Sequence, residues 1–148
     1  MASEEERARR FVARHFPETT RLLAEDRPAT ITVPTGDHGD VTLPEPFWCL
    51  GEHEFEGYRE DIEHRGEDVV LTVPTPCHGE VPFTTLTLVQ RPFSPTDRAV
   101  KVTAELDGDW HDLSSSELAA VADTLVALVV GPIHGVIERL QLLEGDAS

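Results

Sequence analysis

Asparagine is absent from the 148 residues, lysine occurs once, at position 101, and methionine once, at position 1. Without asparagine no N-glycosylation sequon can exist. Arginine supplies eleven of the twelve basic residues, a usage that resembles coding from a GC-rich genome. Cysteine is also scarce: Cys49 and Cys77 allow one bridge at most. In a reducing compartment such a pair reads as free thiols or metal ligands. No uninterrupted apolar run reaches the roughly 18–20 residues of a membrane span, and Met1–Arg10 is charged where a signal peptide is apolar. A cytoplasmic protein with no membrane partner is expected. P-loop, GxGxxG and GxSxG patterns are all missing, so nucleotide-dependent and α/β-hydrolase chemistry have no support.

Basic charge is scarce too. Twenty-eight acidic residues against twelve basic ones give a formal charge of −16, which repels phosphate backbones and anionic lipid. Direct nucleic-acid binding is not expected. The charge suits general solubility, and equally an acidic surface that imitates nucleic acid or docks on another protein.

What is present reads as one α+β domain over residues 29–144, preceded by a helical segment over 1–28 and followed by a frayed tail over 145–148. Ser3 and Glu6 make a capping box, and Ala8, Phe11, Val12, His15 and Phe16 then recur at helical spacing. This predicts a helix from about Glu4 to His15. Pro17 opens a second short helix carrying Leu22 and Leu23, which Asp26-Arg27-Pro28 ends.

After Pro28 the period alternates, and a segment recurs forty residues on. Thr32-Val33-Pro34-Thr35 matches Thr72-Val73-Pro74-Thr75, His38-Gly39 matches His78-Gly79, and Val41 matches Val81. Each copy predicts strand, tight turn, strand, with Gly39 and Gly79 at positive φ. A third hairpin is expected over Tyr58–Val73 about Arg65-Gly66. Phe83–Gln90 and Val100–Leu106 read as further strands of an antiparallel sheet.

Ser114 and Glu117 form a second capping box, which starts a long helix. Its stripe Leu118, Val121, Ala122, Leu125, Leu128 and Val129 is expected to pack on the sheet. Gly131-Pro132 should break or kink that helix, with a restart at Pro132. Ile133, Val136, Leu140 and Leu143 then fall at a and d spacing, which allows a homodimer through this helix.

Metal-capable side chains are densest at Cys49, His53, Asp61 and His64. A thiolate and imidazoles are the donors zinc prefers, and Gly51 lets Cys49 and His53 turn onto one ion. The fourth donor depends on local structure. A helix at 61–64 puts Asp61 beside His64. A strand puts Ile62 there instead and leaves Cys77, His78, a carboxylate reaching in, or water. The strand suits Ile62, His64 and the Gly66 turn better. Trp110-His111-Asp112 offers a second, weaker grouping, in which His111 could pair with Asp109 or Asp112 as an acid/base unit.

Asp37-His38-Gly39-Asp40-Val41-Thr42-Leu43-Pro44-Glu45-Pro46, with Trp48-Cys49, His53, Asp61 and His64-Arg65-Gly66, resembles an uncharacterised domain family of actinobacteria. The likeness runs from about Thr30 to Leu143 and leaves the amino-terminal helices uncovered. It implies that the Trp-Cys, His and Asp-x-x-His-x-Gly elements form one unit, and it gives Cys77 no place.

The function expected from these residues is a non-catalytic interaction or regulatory module tied by a structural zinc ion. The alternatives are a zinc hydrolase with Cys49, His53 and His64 as ligands and Glu52, Glu54 or Asp61 as base, and a metal-free acidic protein.

Overall fold

The computed structural model describes residues 2–24, 27–53 and 56–146, with the side chains of 5, 8, 9, 12, 19 and 22–24 also left undescribed. Asp26, Glu54 and the side chains of Ala8, Val12, Leu22 and Leu23, invoked above, therefore lie outside the described residues. The architecture is α+β: two antiparallel sheets, a short amino-terminal helical piece and a long carboxy-terminal helix. The chain divides into two compact units, Met1–Asp112 and Leu113–Ser148.

In the first unit, helix α1 spans Glu4–His15 and α2 spans Pro17–Ala24. Both halves of the Ser3 capping box are made, Glu6 N donating to Ser3 Oγ at 3.2 Å and Ser3 N to Glu6 Oε2 at 2.9 Å. Strands β1 (Thr30–Thr35) and β2 (Gly39–Pro44) form a two-stranded sheet. Its inner face carries Val33 and Leu43, which pack with Ile62 as the buried core, against the half-buried Ile31, Val41 and Phe93.

The second sheet is organised by the twelve-residue strand β5 (Gly79–Gln90). Strands β3 (His64–Arg65) and β4 (Val69–Thr75) pair with it in turn, and β6 (Lys101–Leu106) takes its other edge, followed by β7 (Asp109–Leu113). Asp107 and Gly108 join β6 to β7, both at positive φ (54° and 81°), as a two-residue primed hairpin turn requires.

The two copies of the repeat are the same turn. Thr35 Oγ1 donates to Gly39 O at 2.8 Å and accepts from His38 N at 3.0 Å, while Thr75 does the same with Gly79 and His78 at 3.0 and 3.2 Å. Gly39 and Gly79 have φ of 62° and 63°. The copies differ in surroundings. Val33 is 1% exposed and its counterpart Val73 is 43% exposed, because the β4–β5 tip projects from the sheet with Val70, Leu71 and Phe83 also in water.

The expected third hairpin is absent. Gly66 makes no turn; Gly66 N donates to Leu88 O, so β3 and β4 run end to end along β5 rather than pairing with each other. Glycine is required there for closeness, since a Cβ would stand 3.2 Å from Leu88 Cβ and 3.4 Å from Trp48.

In the second unit, α3 (Ser115–Leu128) begins at a complete Ser114–Glu117 capping box. Pro132 neither breaks the helix nor starts a new one. Residues Val129–Ile133 form a π turn that leads without interruption into α4 (His134–Asp146). A wider turn accommodates a ring that has no N–H to donate and would crowd the carbonyl one α turn back.

Leu118, Val121 and Leu125 are half-buried, whereas Val126, Leu128 and Val129 are exposed, so the stripe is not buried as expected. Apolar residues lie on every side of this helix, and one covered side cannot hide them all. Ser115–Asp146 is 32 residues long with a window of mean hydropathy 1.8, long and apolar enough by composition to cross a membrane.

Candidate metal centre

The chain leaves β2 through Pro44-Glu45-Pro46, with Glu45 N still donating to Ala29 O at 2.9 Å as a last rung beyond the hairpin. A tight turn follows, closed by Cys49 N to Pro46 O at 3.1 Å, and Leu50 N then donates to Arg65 O at 2.9 Å. These bonds carry Glu45 in from the first sheet and set Cys49 beside β3, the strand that holds His64. Gly51 turns the chain back at φ 78°, which returns His53 to the same point. Arg27 braces the turn from outside, Nη1 donating to Cys49 O at 2.9 Å.

Four side chains converge there. One ligand atom each from Glu45, Cys49, His53 and His64 lies within 4.8 Å of all the others. His53 Nε2 is 2.9 Å from Glu45 Oε2 and 3.5 Å from Cys49 Sγ, and His64 Nδ1 is 3.3 Å from Glu45 Oε1. A tetrahedral zinc site with bonds of about 2.0–2.3 Å has edges of about 3.3–3.8 Å, so small adjustments would seat an ion. The two imidazole rings stand nearly perpendicular, at 87°, and Trp48 closes over His64 edge to face.

The site is buried and incompletely satisfied. Cys49 is 1% exposed, and the side chains of His64 and Glu45 are 2% and 3% exposed. Glu45 Oε1 and His64 Nδ1 are both buried without a hydrogen-bond partner. An unpaired buried donor or acceptor costs about 1–3 kcal/mol, and a pair of them aimed at one point marks a place where something else binds.

Electrostatics agree with that reading. Burial, reinforced by the neighbouring Glu45, pushes the Cys49 thiol up to about 11. Burial also holds the His64 imidazole below its ordinary value, against the pull of Glu45. A thiolate and a carboxylate with two neutral imidazoles would balance the charge of one divalent cation, the arrangement a buried site tolerates best. Gly51 N already points at Cys49 Sγ from 3.4 Å, placed to support a thiolate.

The structure thus brings together Cys49, His53 and His64 and leaves Asp61 out. Asp61 ends a short 3₁₀ turn, Arg59–Asp61, and faces water, while Ile62 and His64 both turn inward, as the strand alternative requires. Glu45 is the fourth member of the cluster. Sequence reasoning missed it, although Glu45, Cys49 and His53 recur at a spacing of four. Cys77 and His78 sit exposed in the β4–β5 turn, away from the cluster. His111 is exposed on β7, and Asp112 pairs with Arg91 at 2.9 Å rather than with His111.

A family model, Domain of unknown function (DUF6907), matches residues 30–131. The chain belongs to this family. Comparison with curated proteins and with solved structures returns no match. All four donors fall within the DUF6907 domain, which begins at β1 and ends in the π turn of the long helix, short of the expected Leu143.

Proposed function

We propose that this DUF6907 protein is a non-catalytic interaction or regulatory module in which Glu45, Cys49, His53 and His64 hold one structural zinc ion. The observation that carries the reading is the unpartnered, buried pair Glu45 Oε1 and His64 Nδ1 inside a four-donor cluster. Four protein donors, one of them a thiol, make a closed site, and closed sites serve folding. The segment between β2 and β3 supports this, since few of its described residues are buried and ligation would supply ordering that packing does not. An exposed free thiol at Cys77 fits a reducing compartment such as the cytoplasm.

The test is metal analysis of protein purified without added zinc. One zinc per chain, lost together with thermal stability in Cys49→Ser and His64→Ala, is the expected result. Protein free of metal that zinc neither binds nor stabilises would refute the proposal.

One observation favours the zinc hydrolase as a second reading. His53 borders a cavity of about 290 Å³ that is also lined by Glu52, Asp61 and Glu63. That chemistry requires an open coordination position for water, and Glu45 fills the fourth place. Hydrolytic turnover of an ester or peptide probe that vanishes in Glu52→Gln or Asp61→Asn while zinc content is retained would favour this alternative.

A further inference from the structure

The π turn in the carboxy-terminal helix has a counterpart in its apolar pattern. Leu118, Val121, Leu125 and Leu128 recur at spacings of three and four, and so do Ile133, Val136, Leu140 and Leu143. The two series are five apart where they meet, one residue too many for a single α-helical stripe. The π turn Val129–Ile133 lies at that junction. Such a turn winds one residue more than an α turn, so it absorbs the surplus and brings the second series into line with the first. Eight apolar residues then make one continuous a/d seam.

We infer that this seam is the interface of a parallel homodimer formed by two copies of the helix. Leu128, Ile133, Val136, Leu140 and Leu143 are all between 45% and 67% exposed, and Leu118, Val121 and Leu125 are half-buried. Withdrawing a side chain of this size from water removes on the order of 60–100 Å². Counted on both chains, and allowing for partial exposure, the seam brings together about 1,000 Å², the size at which specific dimers begin. The described charged residues of the helix, Glu117, Asp123, Glu138, Arg139, Glu144 and Asp146, all fall outside the seam.

Charge also sets the orientation. In a parallel pair a g residue meets the e residue five positions on in the other chain. Arg139 occupies g and Glu144 occupies e, so the carboxy-terminal end of the interface gains an opposite-charge contact on each side of the seam, two by symmetry.

A bilayer fits the same helix less well. Asp123 and Glu138 bracket an uncharged stretch over 124–137 that is about 21 Å long, short of a hydrocarbon core of roughly 30 Å.

Light scattering and sedimentation of the full chain over a wide concentration range test the inference. Twice the chain mass is expected, with Val136→Glu combined with Leu140→Glu reverting to one. Arg139→Glu should weaken the dimer about tenfold, and adding Glu144→Arg should restore it, which leaves the apolar seam and the fold untouched. Val136→Cys in a Cys77→Ser background should oxidise to a symmetrical covalent dimer. A single chain mass at every concentration overturns the inference, as does failure of the charge swap to restore the dimer. Flotation of the wild-type chain with phosphatidylcholine–phosphatidylglycerol vesicles in place of dimerisation overturns it as well.

Discussion

Glu45 Oε1 and His64 Nδ1 face each other at 3.3 Å, both buried, and make no hydrogen bond. A buried carboxylate and imidazole this close normally align to share a proton, so this failure to align is the sharpest feature of the site. Glu45 follows directly on the first sheet and His64 lies in the second, and the groups lie as donors to a common third centre would.

Glu45→Gln keeps the shape of the side chain and removes its anionic donor. Zinc affinity, measured by competition with a chromogenic chelator, should fall at least tenfold. Asp61→Asn, on the exposed 3₁₀ turn, should leave it unchanged. Equal affinities in wild type and Glu45→Gln would show that Glu45 is not a ligand.

Cys49, pushed up to about 11, is a protonated thiol at neutral pH. Since the thiolate is the ligand, zinc added to metal-free protein at pH 7 should displace that proton. His64, held below its ordinary value, is already neutral there and releases none. The expected yield is about one proton per zinc in weakly buffered titration at pH 7, and none in Cys49→Ser. Two or more protons at pH 7 would contradict this assignment.

Gly51→Ala should destabilise the protein more than Gly79→Ala. Both positions have positive φ, which costs a side chain about 1–2 kcal/mol. At Gly51 the new Cβ also meets Arg27 Nη2 at 2.8 Å, whereas at Gly79 nothing lies within 4 Å. Urea unfolding of the two variants decides it, and Arg27→Ala should relieve part of the Gly51→Ala penalty if the contact is the cause.

The repeated valines provide an internal control. Val33→Ala empties part of the core under the first hairpin and should cost about 2 kcal/mol. Val73→Ala, at the matching place in the exposed tip, should cost less than about 0.5 kcal/mol. Similar losses from the two would mean that the β4–β5 tip is covered in solution.

Much of this protein is legible in its sequence because the signals are local. The capping boxes at Ser3 and Ser114, and the turn residues Thr35, Gly39, Thr75 and Gly79, fix their elements within a few residues of chain. Three of the four clustered donors were equally readable from ligand type and the Cys49–His53 spacing. Glu45 was not, because a carboxylate between two prolines has no signature and its approach depends on how the β1–β2 sheet meets β3. The same limit hid the burial difference between Val33 and Val73, which share a motif and differ only in what packs on them. Gly66 was misread because a glycine needed for close approach looks the same as one needed for a turn. At Pro132 the penalty against an α-helical proline was real, and the backbone met it by widening one turn.

The lock that Thr75 places across its turn has a practical side. It holds Cys77 on a stiff mount at the end of the arm, in water, while Cys49 is enclosed and its thiol is pushed up to about 11. A maleimide dye at neutral pH should therefore mark one known position in the natural chain. Its mobility would report the swing of the whole β4–β5 arm rather than the wobble of a loose loop.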